Sequence, residues 1–226
     1  MLAPDSVLIG SYRNWEVGLS VLISVLSSHS SLALTGRVNG TRGWRRFTWF
    51  VGGGAAMGIG IWSMHYTAMM SFRLPVPVQY DWPTSLLSLI IAIAASVGAL
   101  IVASRATMAP HRAVVGGLFM GGAIAGMHYI GMASMRLPAT DHYSPSRVTL
   151  SVLIAIVFSW LALPLAYHFR NEARSDNLQR VASSLLMGAA ISAMHYTGMA
   201  AVTFSFTGIE PLFRPLGIQT ENAAPL

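Results

Sequence analysis

Hydrophobic residues in this chain run in long blocks that short polar segments separate. Six blocks are long enough, at about 20 residues each, to cross a hydrocarbon core of about 30 Å as helices. The blocks lie near residues 15–35, 47–72, 84–104, 113–135, 147–168 and 181–205. The pattern predicts an all-α integral membrane protein with six transmembrane helices. A membrane domain at 1–208 would be followed by a polar, proline-containing tail at 209–226.

The second helix of each successive pair carries the same tripeptide near its end. The copies are Met64-His65-Tyr66, Met127-His128-Tyr129 and Met194-His195-Tyr196, and a methionine follows each histidine by four positions, at Met69, Met132 and Met199. Seven residues before each tripeptide stands a Met-Gly pair: Met57-Gly58, Met120-Gly121 and Met187-Gly188. The chain is therefore predicted to consist of three tandem two-helix repeats. Because these helices carry four-residue glycine spacings, helices 2, 4 and 6 are expected to form an inner ring.

Composition and charge support a membrane location and give an orientation. Apolar residues make up 54% of the chain and charged residues 10%, well below the quarter typical of soluble domains. All 14 basic residues are arginine, and nine lie in three loops on one side of the predicted helices: Arg37, Arg42, Arg45, Arg46, Arg105, Arg112, Arg170, Arg174 and Arg180. Only Glu172 and Asp176 offset them there. The positive-inside rule makes these loops cytoplasmic and the N-terminus external. Lipid contact explains the net charge of +6 better than nucleic-acid binding.

The repeated residues indicate a soft-metal site. On a helix, positions four apart share a face, so each motif histidine projects alongside a methionine. Imidazole and thioether ligands suit copper, above all Cu(I), and a parallel threefold arrangement brings His65, His128 and His195 to one depth near the outer membrane face. The chain has no cysteine, which excludes disulfides and thiolate sites.

Several alternatives remain open from the residues alone. A single motif histidine is also explained by a hydrogen bond to a neighbouring helix, and the methionines by packing. The sequence does not decide which of Met64, Met127, Met194, Met69, Met132 and Met199 are ligands. The motif tyrosines point about 100° away from the histidines and are expected to be interfacial or supporting groups.

The other histidines are weaker candidates for metal binding. His29, in a serine-rich part of the first helix, is expected to be buried and hydrogen-bonded. His111 and His168 border the arginine-rich loops and suggest interfacial positions. His142, in an outer loop beside Asp141, is a candidate for capturing a metal.

The three motif segments resemble the MHYT domain, a bacterial integral-membrane sensor module. The matching segments are Met64-His65-Tyr66-Thr67-Ala68-Met69, Met127-His128-Tyr129-Ile130-Gly131-Met132 and Met194-His195-Tyr196-Thr197-Gly198-Met199. The resemblance implies a copper site near the outer face that senses a diatomic gas, namely O2, CO or NO. It also implies frequent fusion to cytoplasmic cyclic-di-GMP domains, which would require a seventh helix. Because residues 209–226 are too polar for that helix, a stand-alone or truncated chain is expected. Ala68 replaces the glycine of the other copies, a change expected to matter little.

Two classes of function follow from these observations. In the first, the chain is a copper-binding gas sensor of the bacterial cytoplasmic membrane that signals through its arginine-rich loops or a protein partner. In the second, it is a copper-handling or redox membrane protein, namely a chaperone, permease or metalloenzyme subunit. Haem held by two histidines is a third possibility. No phosphate loop, nucleophile elbow or paired-carboxylate motif is present in the sequence, so no catalytic activity is expected.

Overall fold

The structure, a computed structural model, describes residues 3, 5–105, 109–168, 177–208 and 217–220. Six helices account for most of these residues: α1 Asn14–Asn39, α2 Gly43–Ser71, α3 Trp82–Ala103, α4 Pro110–Met132, α5 Pro145–His168 and α6 Asn177–Met199. Within the predicted tail only 217–220 is described. The proposed loop residues Arg170, Glu172, Arg174 and Asp176, and the side chain of His168, lie outside the described part.

Local sequence explains where the first helices of the second and third repeats begin. Asp81 precedes α3, and its carboxylate accepts hydrogen bonds from the Thr84 amide at 3.2 Å and from the Thr84 hydroxyl at 2.7 Å. Pro83 lies in the first turn of α3, and α5 begins at Pro145. Proline is favoured there because its fixed φ suits a helix and its missing N–H would have no intrahelical partner.

Four of the helices are long and apolar enough to cross a membrane: Asn14–Thr35 of α1, Trp82–Ala103, Pro110–Met132 and Pro145–Leu165 of α5. The chain is therefore a membrane protein. Among the described residues, α2 and α6 contain no stretch that is as long and as apolar, because glycine, serine and histidine interrupt their apolar residues. Both of these helices carry the repeated motif.

Glycines bring each motif helix against the first helix of the following repeat, and α6 packs in the same way against α1. A Cβ at any of these glycines would overlap the backbone of the facing helix, so only glycine allows the contact. The contacts are Gly58 with Ile93, Gly121 with Ile156 and Gly188 with Val25. Each helix thus packs against its neighbours in sequence, and the contact of α6 with α1 closes the bundle.

Short strands cover one end of the bundle, where the motif helices end. They are β1 Val7–Leu8, β2 Ser11–Tyr12, β3 Phe72–Arg73, β4 Val78–Asp81, β5 Met135–Arg136, β6 Ala139–Tyr143, β7 Val202–Phe206 and β8 Gly217–Thr220. They pair in three antiparallel sheets with the orders β1-β7-β6, β2-β3 and β5-β4-β8. Because each sheet joins segments that are distant in sequence, this end ties the repeats together.

A buried hydrophobic cluster lies between these strands and the ends of the motif helices. It contains residues from all three repeats: Leu8, Tyr66, Met69, Leu74, Val76, Val78, Tyr80, Met132, Met135, Met199, Val202 and Phe204. We call this cluster the hydrophobic cap. At its edge Glu16 forms two ion pairs, with a carboxylate oxygen 2.8 Å from an Arg13 nitrogen and 3.1 Å from an Arg73 nitrogen. The cap excludes water from the ends of α2, α4 and α6.

Candidate metal centre

The three motif histidines meet at one point inside the bundle. His65, His128 and His195 are each at most 1% exposed. The Nδ1 atom of His65 lies 3.0 Å from Nδ1 of His195 and 3.3 Å from Nδ1 of His128. The rings pack edge-on with centroids 5.0 Å apart in all three pairs. Three nitrogens on three separate helices thus face a common centre, which we call the histidine triad.

The spacing of these nitrogens suits a metal ion. A metal that binds three imidazole nitrogens at about 2.0–2.1 Å holds them about 3.4 Å apart. The three side chains each offer a ligand atom, and all of these atoms lie within 4.8 Å of one another. A neutral imidazole has only one N–H, so three converging nitrogens cannot all be satisfied by hydrogen bonds to each other. The histidine triad is therefore positioned to hold a metal ion.

The outward nitrogens of the rings lie against small residues of the motif itself. Nε2 of His65 lies beside Gly131, and Nε2 of His128 lies beside Gly198, so closely that a Cβ at either glycine would overlap the ring. Ala68 holds the same motif position in the first repeat and is fully buried. All three Nε2 atoms are buried and have no hydrogen-bond partner among the described residues. Gly131 and Gly198 thus leave the space that the rings of His65 and His128 occupy.

Each histidine is followed outward by two tyrosine rings. His65 packs edge-on against Tyr66 with centroids 5.2 Å apart, and Tyr66 packs against Tyr80 at 5.8 Å. The same arrangement lies around the other two histidines, with Tyr129 and Tyr143 next to His128, and Tyr196 and Tyr12 next to His195. The tyrosines therefore surround the triad as aromatic supports, as expected for groups that orient ligands.

Serines on neighbouring helices bind the hydroxyls of the motif tyrosines. Tyr129 bonds Ser151 at 2.6 Å, and Tyr196 bonds Ser20 at 2.8 Å. The first repeat departs from this pattern, since Tyr66 bonds Ser134 at 3.1 Å. There the indole nitrogen of Trp62 donates to Ser88, which occupies the position equivalent to Ser151.

The outer tyrosines lie beyond the helices and remain protonated at neutral pH. Burial, with a smaller contribution from Tyr196, raises the pKa of Tyr12 to about 12. Burial, followed by the nearby carboxylate of Asp141, raises the pKa of Tyr143 to about 12. The pKa of Tyr80 is also raised, chiefly by burial. Their hydroxyls therefore carry no charge at neutral pH.

The motif methionines lie in two layers on either side of the triad. Met69, Met132 and Met199 belong to the hydrophobic cap, while Met127 and Met194 line cavities on the opposite side. Met64 is fully buried. All six methionines are within the core, and their roles as ligands remain predictions.

The structure corrects one expectation for the remaining histidines. His29 is exposed on α1 and is not buried. The face of α1 that packs into the protein carries serines, and His29 lies outside that face. Its predicted hydrogen bond is present, since Nδ1 lies 3.1 Å from the hydroxyl of Ser184. His111 is exposed at the start of α4. His142 is exposed on β6, where its metal-capturing role stays a prediction.

Sequence reasoning missed two groups around the triad. The motif sequence does not reveal that the small residues Gly131 and Gly198 face imidazole rings. The outer tyrosines Tyr12, Tyr80 and Tyr143 were not noticed, although Tyr80 and Tyr143 are separated by the same 63 residues as His65 and His128. That matching spacing was the available signal.

Comparison with known families agrees with this threefold site. A family model described as MHYT, a bacterial signalling protein N-terminal repeat, matches residues 58–116, 121–175 and 188–213, together more than half of the chain. The chain belongs to the MHYT family. The matched segments include all three histidines of the triad, and each segment begins inside a motif helix, shortly before its histidine.

Three curated relatives share the MHYT segment. The bifunctional diguanylate cyclase/cyclic di-GMP phosphodiesterase MucR of Pseudomonas aeruginosa is 42% identical over 205 residues, covering 89% of this chain and 30% of that protein. The signaling protein YkoW of Bacillus subtilis is 34% identical, covering 86% and 24%. The cyclic di-GMP phosphodiesterase NbdA of Pseudomonas aeruginosa is 39% identical, covering 89% and 26%. The chain spans less than a third of the length of these relatives. No solved structure matches it.

Proposed function

We propose that this chain is a membrane sensor domain in which the histidine triad binds copper as Cu(I) and the copper site responds to a diatomic gas, namely O2, CO or NO. The observation that supports it is the convergence of three buried Nδ1 atoms from three repeats, at 3.0 and 3.3 Å. A polar cluster inside a membrane protein is unfavourable unless it has a use. Bound Cu(I) would supply a soft, electron-rich centre for the gas.

Copper fits the surroundings of the triad better than the other candidates. Zinc also accepts imidazole, but the methionine layers on both sides offer thioethers, which suit Cu(I). Haem fits poorly, because the imidazoles pack against each other with centroids 5.0 Å apart and leave no slot for a porphyrin. We propose Met64, Met127, Met194, Met69, Met132 and Met199 as the pool from which any thioether ligands come.

The sensor function is favoured by the enclosure of the site. Three protein nitrogens leave a coordination position open, and the hydrophobic cap prevents water from filling it. The second candidate, a copper carrier or redox subunit, requires the ion to leave readily. Because the cap contains residues from all three repeats, release of the ion would require separating them, which favours retention.

We propose that the protein lies in the bacterial cytoplasmic membrane. All six helices would cross it, with α2, α4 and α6 as an inner ring and the N-terminus outside. The histidine triad would lie in the outer half of the membrane. The arginine-rich loops would face the cytoplasm. Because MucR and NbdA are named for cyclic di-GMP chemistry, the partner we propose is a cytoplasmic domain or protein that makes or degrades that nucleotide.

The decisive experiment is metal analysis of protein purified from membranes with and without added copper. We expect one or two copper ions per chain, and a lower copper affinity in the His128→Ala variant, by about tenfold or more, because one donor of a small ligand set is lost. The exposed His111→Ala variant is the matched control and should bind normally. Unchanged copper content in the triple variant His65→Ala, His128→Ala, His195→Ala would refute a histidine site.

Gas binding separates the two candidate functions. The reduced copper protein should bind carbon monoxide reversibly, with a C–O stretch that is absent in His128→Ala. A protein that retains copper, binds no carbon monoxide and passes the ion to a soluble chelator would instead be a carrier.

A further inference from the structure

A cavity lies on the cytoplasmic-loop side of the histidine triad, where the Met-Gly repeat places its methionines. Met57, Met120 and Met187 all line it, with Ala99, Ala155 and Ala190. These methionines precede the triad histidines by eight residues, about 12 Å along a helix. We call this space, of about 110 Å³, the methionine chamber.

The methionine chamber extends towards the metal centre. A second cavity of about 30 Å³ shares Met57, Met120 and Ala99 with it and is also lined by Met127. Met194 lines the chamber itself. Met127 and Met194 are each bonded directly to a triad histidine in the sequence. The two cavities therefore approach the histidine triad from the side of the arginine-rich loops.

The wall of the chamber is suited to an apolar occupant. Two of the five hydroxyl groups in the wall bond to their own helix: Ser28 donates to the Ser24 carbonyl at 2.8 Å, and Thr35 donates to the Ser31 carbonyl at 3.0 Å. A water molecule needs two to four polar partners, and cavities lined by aliphatic side chains stay dry while accepting xenon or benzene. The volume of about 110 Å³ is several times what one water-sized molecule requires.

The chamber opens sideways between α5 and α6. Leu161 and Leu186 line it, and they are 49% and 56% exposed on the surface that faces lipid. A molecule dissolved in the hydrocarbon core therefore reaches the chamber without crossing the hydrophobic cap.

We propose that the methionine chamber binds a small apolar molecule, of the size of a diatomic gas or xenon, that enters from the bilayer between α5 and α6. The idea that gas reaches the copper through this chamber rests on the proposed function. The chamber's binding of an apolar molecule does not, because the chamber is formed by the protein alone. A lipid acyl chain is the competing apolar occupant from the same source.

The first test uses xenon on the metal-free full chain with 13C-methyl methionine, in detergent and in lipid nanodiscs. Xenon should shift the methyl signals of Met57, Met120 and Met187 saturably, while the exposed Met70 should not respond. Ala190→Leu fills the chamber, and Ala189→Leu, on the lipid-facing side of the same helix, is its matched control. We expect xenon affinity to fall about fivefold or more in Ala190→Leu only.

A second pair keeps the test valid if Ala190→Leu does not fold. Ala99 lines both cavities, and Ala94 on the same helix is exposed. Ala99→Leu should weaken xenon binding, and Ala94→Leu should not. Absence of a saturable shift in the unmodified protein, or equal shifts in filled and control variants, would overturn the proposal. If xenon binds in detergent but not in lipid nanodiscs, a lipid acyl chain occupies the chamber in the bilayer. That result would overturn the proposal of a gas-binding chamber.

The route to the metal is tested separately on copper-loaded protein. The association rate of carbon monoxide should fall about fivefold or more in Ala190→Leu, with copper content equal to that of Ala189→Leu. An unchanged rate would overturn the route but not the proposed function. A protein that binds xenon but no copper would overturn the proposed function and leave the chamber standing.

Discussion

At the scale of single residues, the geometry of the histidine triad depends on what each motif position contacts. The convergence of His65, His128 and His195 follows from three equivalent motifs on parallel repeats, so the sequence was sufficient to predict it. The role of the small residue three positions later was not predictable. Residues 131 and 198 contact imidazoles of the preceding repeat. The sequence of one chain does not show which helices become neighbours in the fold.

Gly131→Ala tests this contact directly. Its Cβ would overlap Nε2 of His65 and push the ring away from the centre, so we expect copper affinity to fall about 10- to 100-fold, as for other groups that orient ligands. Gly126→Ala on the same helix is the matched control, because a Cβ there meets nothing within 4 Å. Equal affinities in a chelator competition would mean that the ring position does not control binding.

The methionines are tested by replacements that preserve volume. Met→Leu at Met69, Met132 or Met199 keeps the packing of the hydrophobic cap, with a loss of stability below about 1.5 kcal/mol. Any large fall in copper content would therefore report a lost thioether ligand. X-ray absorption of the copper protein provides the independent readout, since a sulfur scatterer should disappear in the same variant.

At the scale of elements, the helices were more predictable than the strands. Long apolar blocks predicted six helices, and six helices are present in the described residues. The strands were missed because they are two to five residues long and pair between repeats, as β1 does with β7. Glycine spacing predicted close helix packing, but not that α6 closes against α1 through Gly188.

Gly121→Ala tests the helix contacts. The added Cβ would overlap the backbone of Ile156, which cannot rotate away, so we expect a loss of about 1–3 kcal/mol in the free energy of unfolding. Gly122→Ala has open space and should be neutral or stabilising by about 0.5–1 kcal/mol, since alanine favours a helix. Thermal unfolding in detergent compares the two. A smaller loss for Gly121→Ala than for Gly122→Ala would contradict the packing.

At the scale of the whole molecule, the two ends of the bundle are chemically different. The hydrophobic cap and the strands occupy one end. The other end carries the arginines that the structure describes there, namely Arg37, Arg42, Arg45, Arg46, Arg105, Arg112 and Arg180. The absence of native cysteine makes the orientation easy to test. Thr140→Cys and Gly40→Cys are both exposed and lie at opposite ends. A membrane-impermeant maleimide should label Thr140→Cys in intact cells and Gly40→Cys only after lysis. The reverse pattern would place the metal centre near the cytoplasm.

A sensor must also transmit, and the bundle offers a physical path. A ligand shifts an equilibrium only through its different affinity for two states, so gas binding at the triad must favour one packing of α2, α4 and α6. Those helices run from the triad to the end that carries Gly40 and Leu178. In copper-loaded protein with spin labels at Gly40→Cys and Leu178→Cys, we expect carbon monoxide to shift their separation by about 1–2 Å, the scale of helix shifts in switching proteins. His128→Ala should abolish the response. If carbon monoxide binds copper and the separation stays fixed, the site receives a gas without reporting it, which would favour a redox or storage role over sensing.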